Sequence, residues 1–128
     1  MHILIVDSDP IQIQSLARGL KGRGHSVATA TNREEAFTVI EQMGANLHLI
    51  LTDLKIPHLD VFELARKARA QNQLFPLIIM TTFISTELQH KVRHEMNIAL
   101  LEKPFGLEKL LHKVEGFELS PEYANRSM

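Results

Sequence analysis

Asp53 closes the apolar run Leu49-Ile50-Leu51-Thr52 and is followed by Ile56-Pro57-His58-Leu59-Asp60, which places one carboxylate at the C-terminal tip of a buried strand. Two more signals stand at matching places. Asp7 ends the run Ile3-Leu4-Ile5-Val6, and Lys103-Pro104-Phe105 follows the run Ile98-Ala99-Leu100-Leu101. Thr81 ends a further apolar run that starts at Leu77. Residues of these types have a definite chemical range. Carboxylates hold hard divalent cations or act as nucleophiles, an ammonium neutralises negative charge, and a hydroxyl donates to an anionic oxygen. Four such residues ending four separate strands read together as a site.

Strand tips converge only if the strands lie parallel in one sheet, and the rest of the chain has that pattern. Short apolar runs alternate with longer amphipathic stretches, as in a parallel sheet buried on both faces by crossover helices. Strands are expected near Ile3 to Val6, Ser26 to Thr29, Leu47 to Thr52, Leu77 to Thr81 and Ile98 to Leu101. The first helix begins near Pro10, whose fixed φ suits the first helical position, and buries Ile13, Leu16, Ala17 and Leu20 before Gly22 or Gly24 stops it. Asn32 with Glu35 makes a capping-box-like start for a second, which carries Ala36, Phe37, Val39 and Ile40 and ends near Gly44. Three more are expected over roughly Val61 to Ala70, Thr86 to Met96 and Leu107 to Val114. In such an open sheet, ligands bind beyond the carboxyl ends of the strands, where the winding reverses.

A chain of 128 residues has the usual size of one compact domain. It is 45% hydrophobic with 14 basic against 15 acidic residues, which argues against disorder and against a nucleic-acid footprint. The basic groups Arg18/Lys21/Arg23 and Arg66/Lys67/Arg69 read as solvated helix faces. Having no cysteine excludes disulfides and thiol catalysis and fits a reducing compartment. Only four consecutive apolar residues precede Asp7, too few for a signal peptide or a membrane span. A soluble cytoplasmic protein without a membrane or nucleic-acid partner is the expectation.

From about Met1 to about Val114 the chain resembles the receiver domain of two-component response regulators. The resemblance rests on Asp53 followed by Pro57 and Asp60, on Thr81, and on Lys103-Pro104-Phe105, all in the family's order and spacing. It implies a doubly wound (βα)5 flavodoxin-like α/β fold with strand order 2-1-3-4-5. It implies that Asp53 accepts a phosphoryl group from a sensor histidine kinase or phosphotransfer protein, and that the domain signals to a downstream partner or output domain without being an enzyme. Asp7, Asp53 and the backbone carbonyl of Lys55 would bind Mg2+. Thr81 and Lys103 would serve the phosphoryl group, and a cis peptide would precede Pro104. Phosphoryl transfer rewards such an arrangement, because its loose in-line transition state needs positioning and charge neutralisation more than covalent help.

Several positions depart from the family pattern. Ser8 stands where receivers place a second acid, the usual direct metal ligand, so Mg2+ binding should be weakened. Asp9 could substitute, or it could cap the first helix before Pro10. Val61 replaces a glycine, and Thr82 replaces an alanine or glycine beside Asp53. Leu100 stands at the switch position where an aromatic residue commonly follows the movement of Thr81, which puts coupling to the face of helix four, strand five and helix five in doubt. A homodimer through that face is compatible with the sequence. Phe83 and Lys55 match positions that tune dephosphorylation, and Phe83 is expected to shield an acyl phosphate.

Other readings compete. Asp7 and Asp60 could be helix caps, Thr81 ordinary strand composition and Lys103 a loop charge. His90 and His94, four apart on a helix, have metal-ligand spacing but read as surface residues without a third ligand. Asp7-Ser8-Asp9 resembles the D-x-D of haloacid-dehalogenase-like phosphatases, with Asp7 as nucleophile and Asp9 as general acid. That reading needs a later acidic pair, and only Glu108, Glu115, Glu118 and Glu122 follow Lys103. A flavodoxin would need a Ser/Thr/Gly-rich loop after the first strand. A phosphorylation-independent pseudo-receiver that only docks partners would explain Ser8, Val61 and Leu100. The receiver is expected to span residues 1–116, with 117–128 a tail or the start of a linker, in a stand-alone protein or one cut from a longer regulator.

Overall fold

The computed structural model describes residues 1–121 together with Tyr123 and Ala124. The expected tail is therefore described only in part, and Glu122 lies outside the described residues. Alternation begins with β1 (His2–Val6), α1 (Pro10–Lys21), β2 (Ser26–Ala30) and α2 (Arg33–Met43). A single 3-10 turn at Gly44–Asn46 leads into β3 (Leu49–Asp53), α3 (Val61–Arg69) and β4 (Leu77–Thr81). The order ends with α4 (Thr86–Arg93), β5 (Ile98–Glu102) and α5 (Leu107–Glu118). All neighbouring strands pair in parallel, in the order β2-β1-β3-β4-β5. This is the flavodoxin-like α/β architecture the sequence predicts.

Period-two alternation along the strands sorts the core into two layers. Ile3, Ile5, Leu49, Leu51, Ile78, Met80 and Leu101 meet Ile13, Leu16, Leu20, Leu110, Leu111 and Val114 of α1 and α5. On the other face Leu4, Val6, Ile50 and Leu77 meet Ala36 and Ile40 of α2 and Leu64, Ala65 and Ala68 of α3. Both faces of β1, β3 and β4 are buried, which explains why those strands read as continuous apolar runs. Arg33 ties α2 to α3, its Nε 3.0 Å from Glu63 Oε1 and its guanidinium 4.3 Å from the Phe37 ring centroid. That hydrogen-bonded pairing holds the Glu63 carboxyl below the usual carboxylate range.

Element ends differ from expectation where local chemistry intervenes. β3 starts at Leu49, because the 3-10 turn carries Leu47 into the core just before the strand. α4 stops at Arg93, since Asn97 adopts φ 59 and its side chain donates to the Leu74 carbonyl at 2.7 Å, fixing a turn ahead of β5. α5 runs on through Gly116 to Glu118, because Phe117 continues the stripe of Leu110, Leu111 and Val114 onto the α1 side of the core. Among the described residues no helix is long and apolar enough to cross a membrane.

Candidate functional site

β1, β3 and β5 are each prolonged past the last residue by one ladder bond, and these bonds bring the polar tips together. Asp7 N–H donates to the Ala30 carbonyl at 3.1 Å, Leu54 N–H to Met80 at 2.8 Å, and Lys103 N–H to Thr81 at 2.7 Å. The register sets Val6 beside Thr52, Asp53 beside Met80 and Thr81 beside Glu102, so Asp7, Asp53, Thr81 and Lys103 all stand at one edge. Lys103 Nζ lies 3.3 Å from Asp53 Oδ1 and 3.6 Å from Asp7 Oδ2. Two carboxylates thus share one ammonium.

The two acids are not equivalent. Asp7 is only 2% exposed, and its Oδ1 accepts the Asp9 N–H at 3.0 Å. Its Oδ2 is buried without a hydrogen-bond partner; the ammonium at 3.6 Å is an ion pair beyond hydrogen-bond range. A buried carboxylate oxygen in that state is costly unless a cation completes it. Asp53 is more open, with 18% of its side chain exposed. An oxygen-only donor set of this kind suits a hard cation such as Mg2+. Ser8 is exposed and contributes no charge. Among the described residues no three His, Cys, Asp or Glu side chains are gathered as a ready metal site.

Thr81 is buried, and its hydroxyl is occupied within its own turn. It donates to the Phe83 carbonyl at 3.1 Å and accepts the Phe83 N–H at 3.3 Å. Phe83 itself is 71% exposed, so a ring expected to shield Asp53 stands in solvent and covers little. Leu100, half-buried, pairs with Ile79 on the sheet face that also carries Leu77 and Ile98. The Lys103-Pro104 peptide is cis, as the family resemblance implied.

Asp9 and Asp60, for which a cap competed with a chemical role, are both helix caps. Asp9 Oδ1 accepts the Ile11 N–H at 3.0 Å as the N-cap of α1, which occupies the carboxylate that the phosphatase reading makes a general acid. Asp60 caps α3 through the Phe62 N–H at 2.9 Å. Between Asp53 and that cap, the Leu59 N–H closes onto the Ile56 carbonyl at 3.1 Å, with Pro57 then His58 at φ 62 inside the turn. Pro57 therefore serves as the pre-set second residue of a type II-like turn. Sequence reading missed Thr52, whose buried hydroxyl donates to the Asp53 carbonyl at 2.9 Å. A threonine among the apolar residues of a doubly buried strand was the one available signal.

Residues 3–115 match the family model described as the response regulator receiver domain. Response regulator MprA of Mycobacterium bovis is 30% identical over the whole chain, which spans 56% of that protein. The gliding motility regulatory protein of Myxococcus xanthus is 35% identical over 89 residues, 68% of this chain and 11% of that protein. The chain thus spans little more than half, or about a tenth, of the length of these curated relatives. Among solved structures, a CheY-like receiver domain protein of Methanospirillum hungatei superposes with a TM-score of 0.80 at 25% identity, covering 98% of this chain and 95% of that one.

Proposed function

Because this chain belongs to the response regulator receiver domain family, we propose that Asp53 is its phosphoacceptor, charged by a phosphohistidine on a sensor histidine kinase or phosphotransfer protein. One observation carries the reading: a single ammonium stands 3.3 Å from Asp53 and 3.6 Å from Asp7 at the carboxyl edge of the sheet.

An Asp53 carboxylate oxygen attacks phosphorus while the bond to the donor's imidazole nitrogen breaks in line, leaving the nitrogen to take up a proton and Asp53 as a mixed anhydride. Lys103 offsets charge on the equatorial oxygens. The Thr81 hydroxyl exchanges the Phe83 carbonyl for a phosphoryl oxygen, and that exchange loosens the turn it now closes. Asp7, Asp53 and the main-chain carbonyl of Lys55 would hold Mg2+, which supplies further neutralising charge when bound. Asp7 Oδ2, buried and unpartnered, fits such an ion, and Ser8 in place of an acid makes the grip weak.

The module carries a phosphoryl group as a signal and does not turn over substrate. It comprises residues 1–116, followed by a tail or linker start at 117–128. Thr81 and Leu100 relay its state to the face of α4, β5 and α5, where a downstream partner, an output domain or a second copy docks. With Leu100 in place of an aromatic ring, the relay is shallow. Intact mass after incubation with acetyl phosphate and Mg2+ tests the reading. One added phosphoryl group on the native chain and none on Asp53→Ala is expected; an unmodified native chain would leave only the docking role.

A further inference from the structure

His90 and His94 lie one helical turn apart at the C-terminal end of α4, both exposed, with ring centroids 4.7 Å apart and planes at 77°. Among the described residues neither ring has a hydrogen-bond or ion-pair partner. The other adjacent pair differs, since His48 Nδ1 already accepts the His2 N–H at 2.8 Å and its ring packs edge-on against Tyr123. Helical spacing of four sets the two imidazoles side by side on one stripe of the helix surface. Imidazole nitrogen is a ligand for Zn2+, Ni2+ and Cu2+, whereas Mg2+ prefers oxygen. Glu87 lies on the same stripe, three residues before His90, and its 3.7 Å pair with Lys91 is exposed on both sides, so little free energy holds it there. That carboxylate offsets the neighbouring Lys91 charge.

We infer that α4 carries a surface site for a borderline divalent transition metal, chelated by His90 and His94 with water in the remaining positions. The site is separate from the Asp53 edge in ligand chemistry and stands whatever Asp53 does. It also has a structural consequence. α4 ends at Arg93, and His94 is its C-cap, with its N–H directed to Lys91 and Val92 carbonyls in a tight last turn. A chelate from His90 to His94 bridges that end and holds the last turn closed.

The test is calorimetric titration of the full chain with Zn2+ and, separately, Ni2+, in excess Mg2+. Saturable binding of one ion per chain is expected, undisturbed by Mg2+. His90→Ala and His94→Ala should each weaken it by at least about tenfold, the scale on which even outer-sphere partners of a metal act. Amide exchange at residues 90–94 should slow on adding Zn2+ to the native chain and not to the double variant. His2→Ala should leave binding intact. Binding that survives loss of both His90 and His94, or no saturable binding of either ion by the native chain, would overturn the assignment.

Discussion

Without Lys103, Asp7 and Asp53 would face each other with no cation between them, and Asp7 is 2% exposed. Removing one partner of such a cluster leaves buried charge uncompensated. Lys103→Met should therefore lower the unfolding free energy by roughly 1–3 kcal/mol in the absence of Mg2+, read as an earlier urea midpoint, with part of the loss restored by added Mg2+. Ser8 makes the opposite case. Ser8→Asp adds an acid beside the pair, and a gain of about 1.4 kcal/mol would tighten Mg2+ binding about tenfold. Titrating Mg2+ while following phosphorylation by acetyl phosphate measures this; an unchanged midpoint would show that residue 8 does not reach the ion. The tip residues were legible from sequence because each ends an apolar run. The direction of the Thr81 hydroxyl was not, since a side chain's choice between its own turn and a neighbouring site leaves no trace in residue order.

Caps decide where the helices begin, and they separate structural carboxylates from chemical ones. Asp9 and Asp60 each accept an amide of the first turn, as expected of Asp at a helix start. Asp9→Ala should cost about 1 kcal/mol of stability while leaving phosphorylation intact. Loss of chemistry without loss of stability would return Asp9 to a catalytic role. Helix starts were readable from such local signals. Helix ends were less so: α5 passes through Gly116 because Phe117 finds the core, and α4 stops early because Asn97 turns left-handed. Both outcomes depend on tertiary contacts that a local pattern does not contain.

Across the whole molecule the order β2-β1-β3-β4-β5 places every chemical tip at one edge and leaves the opposite pole to structural contacts. Sequence period established the parallel class, while the strand order came from family resemblance, since alternation alone fits several windings. At that opposite pole His25 is 7% exposed, with its Nδ1 3.1 Å from the amino terminus. Desolvation, then the terminal positive charge, hold its pKa below the ordinary imidazole value of 6.5, against weaker pulls from Glu118 and Glu115. The folded state thus binds fewer protons here than the unfolded chain. This contribution is flat above about pH 6.5 and destabilises progressively as pH falls from there to the folded-state value, levelling below it. His25→Gln should flatten the fall in urea midpoint over that window; an identical pH profile would assign the dependence elsewhere. Asp53, and not Asp7, is the carboxylate proposed to hold the phosphoryl group. Borohydride reduction of the phosphorylated chain converts an aspartyl phosphate to homoserine, and peptide mapping should find homoserine at position 53. Homoserine at position 7, or none after treatment with an activated phosphodonor, would contradict it.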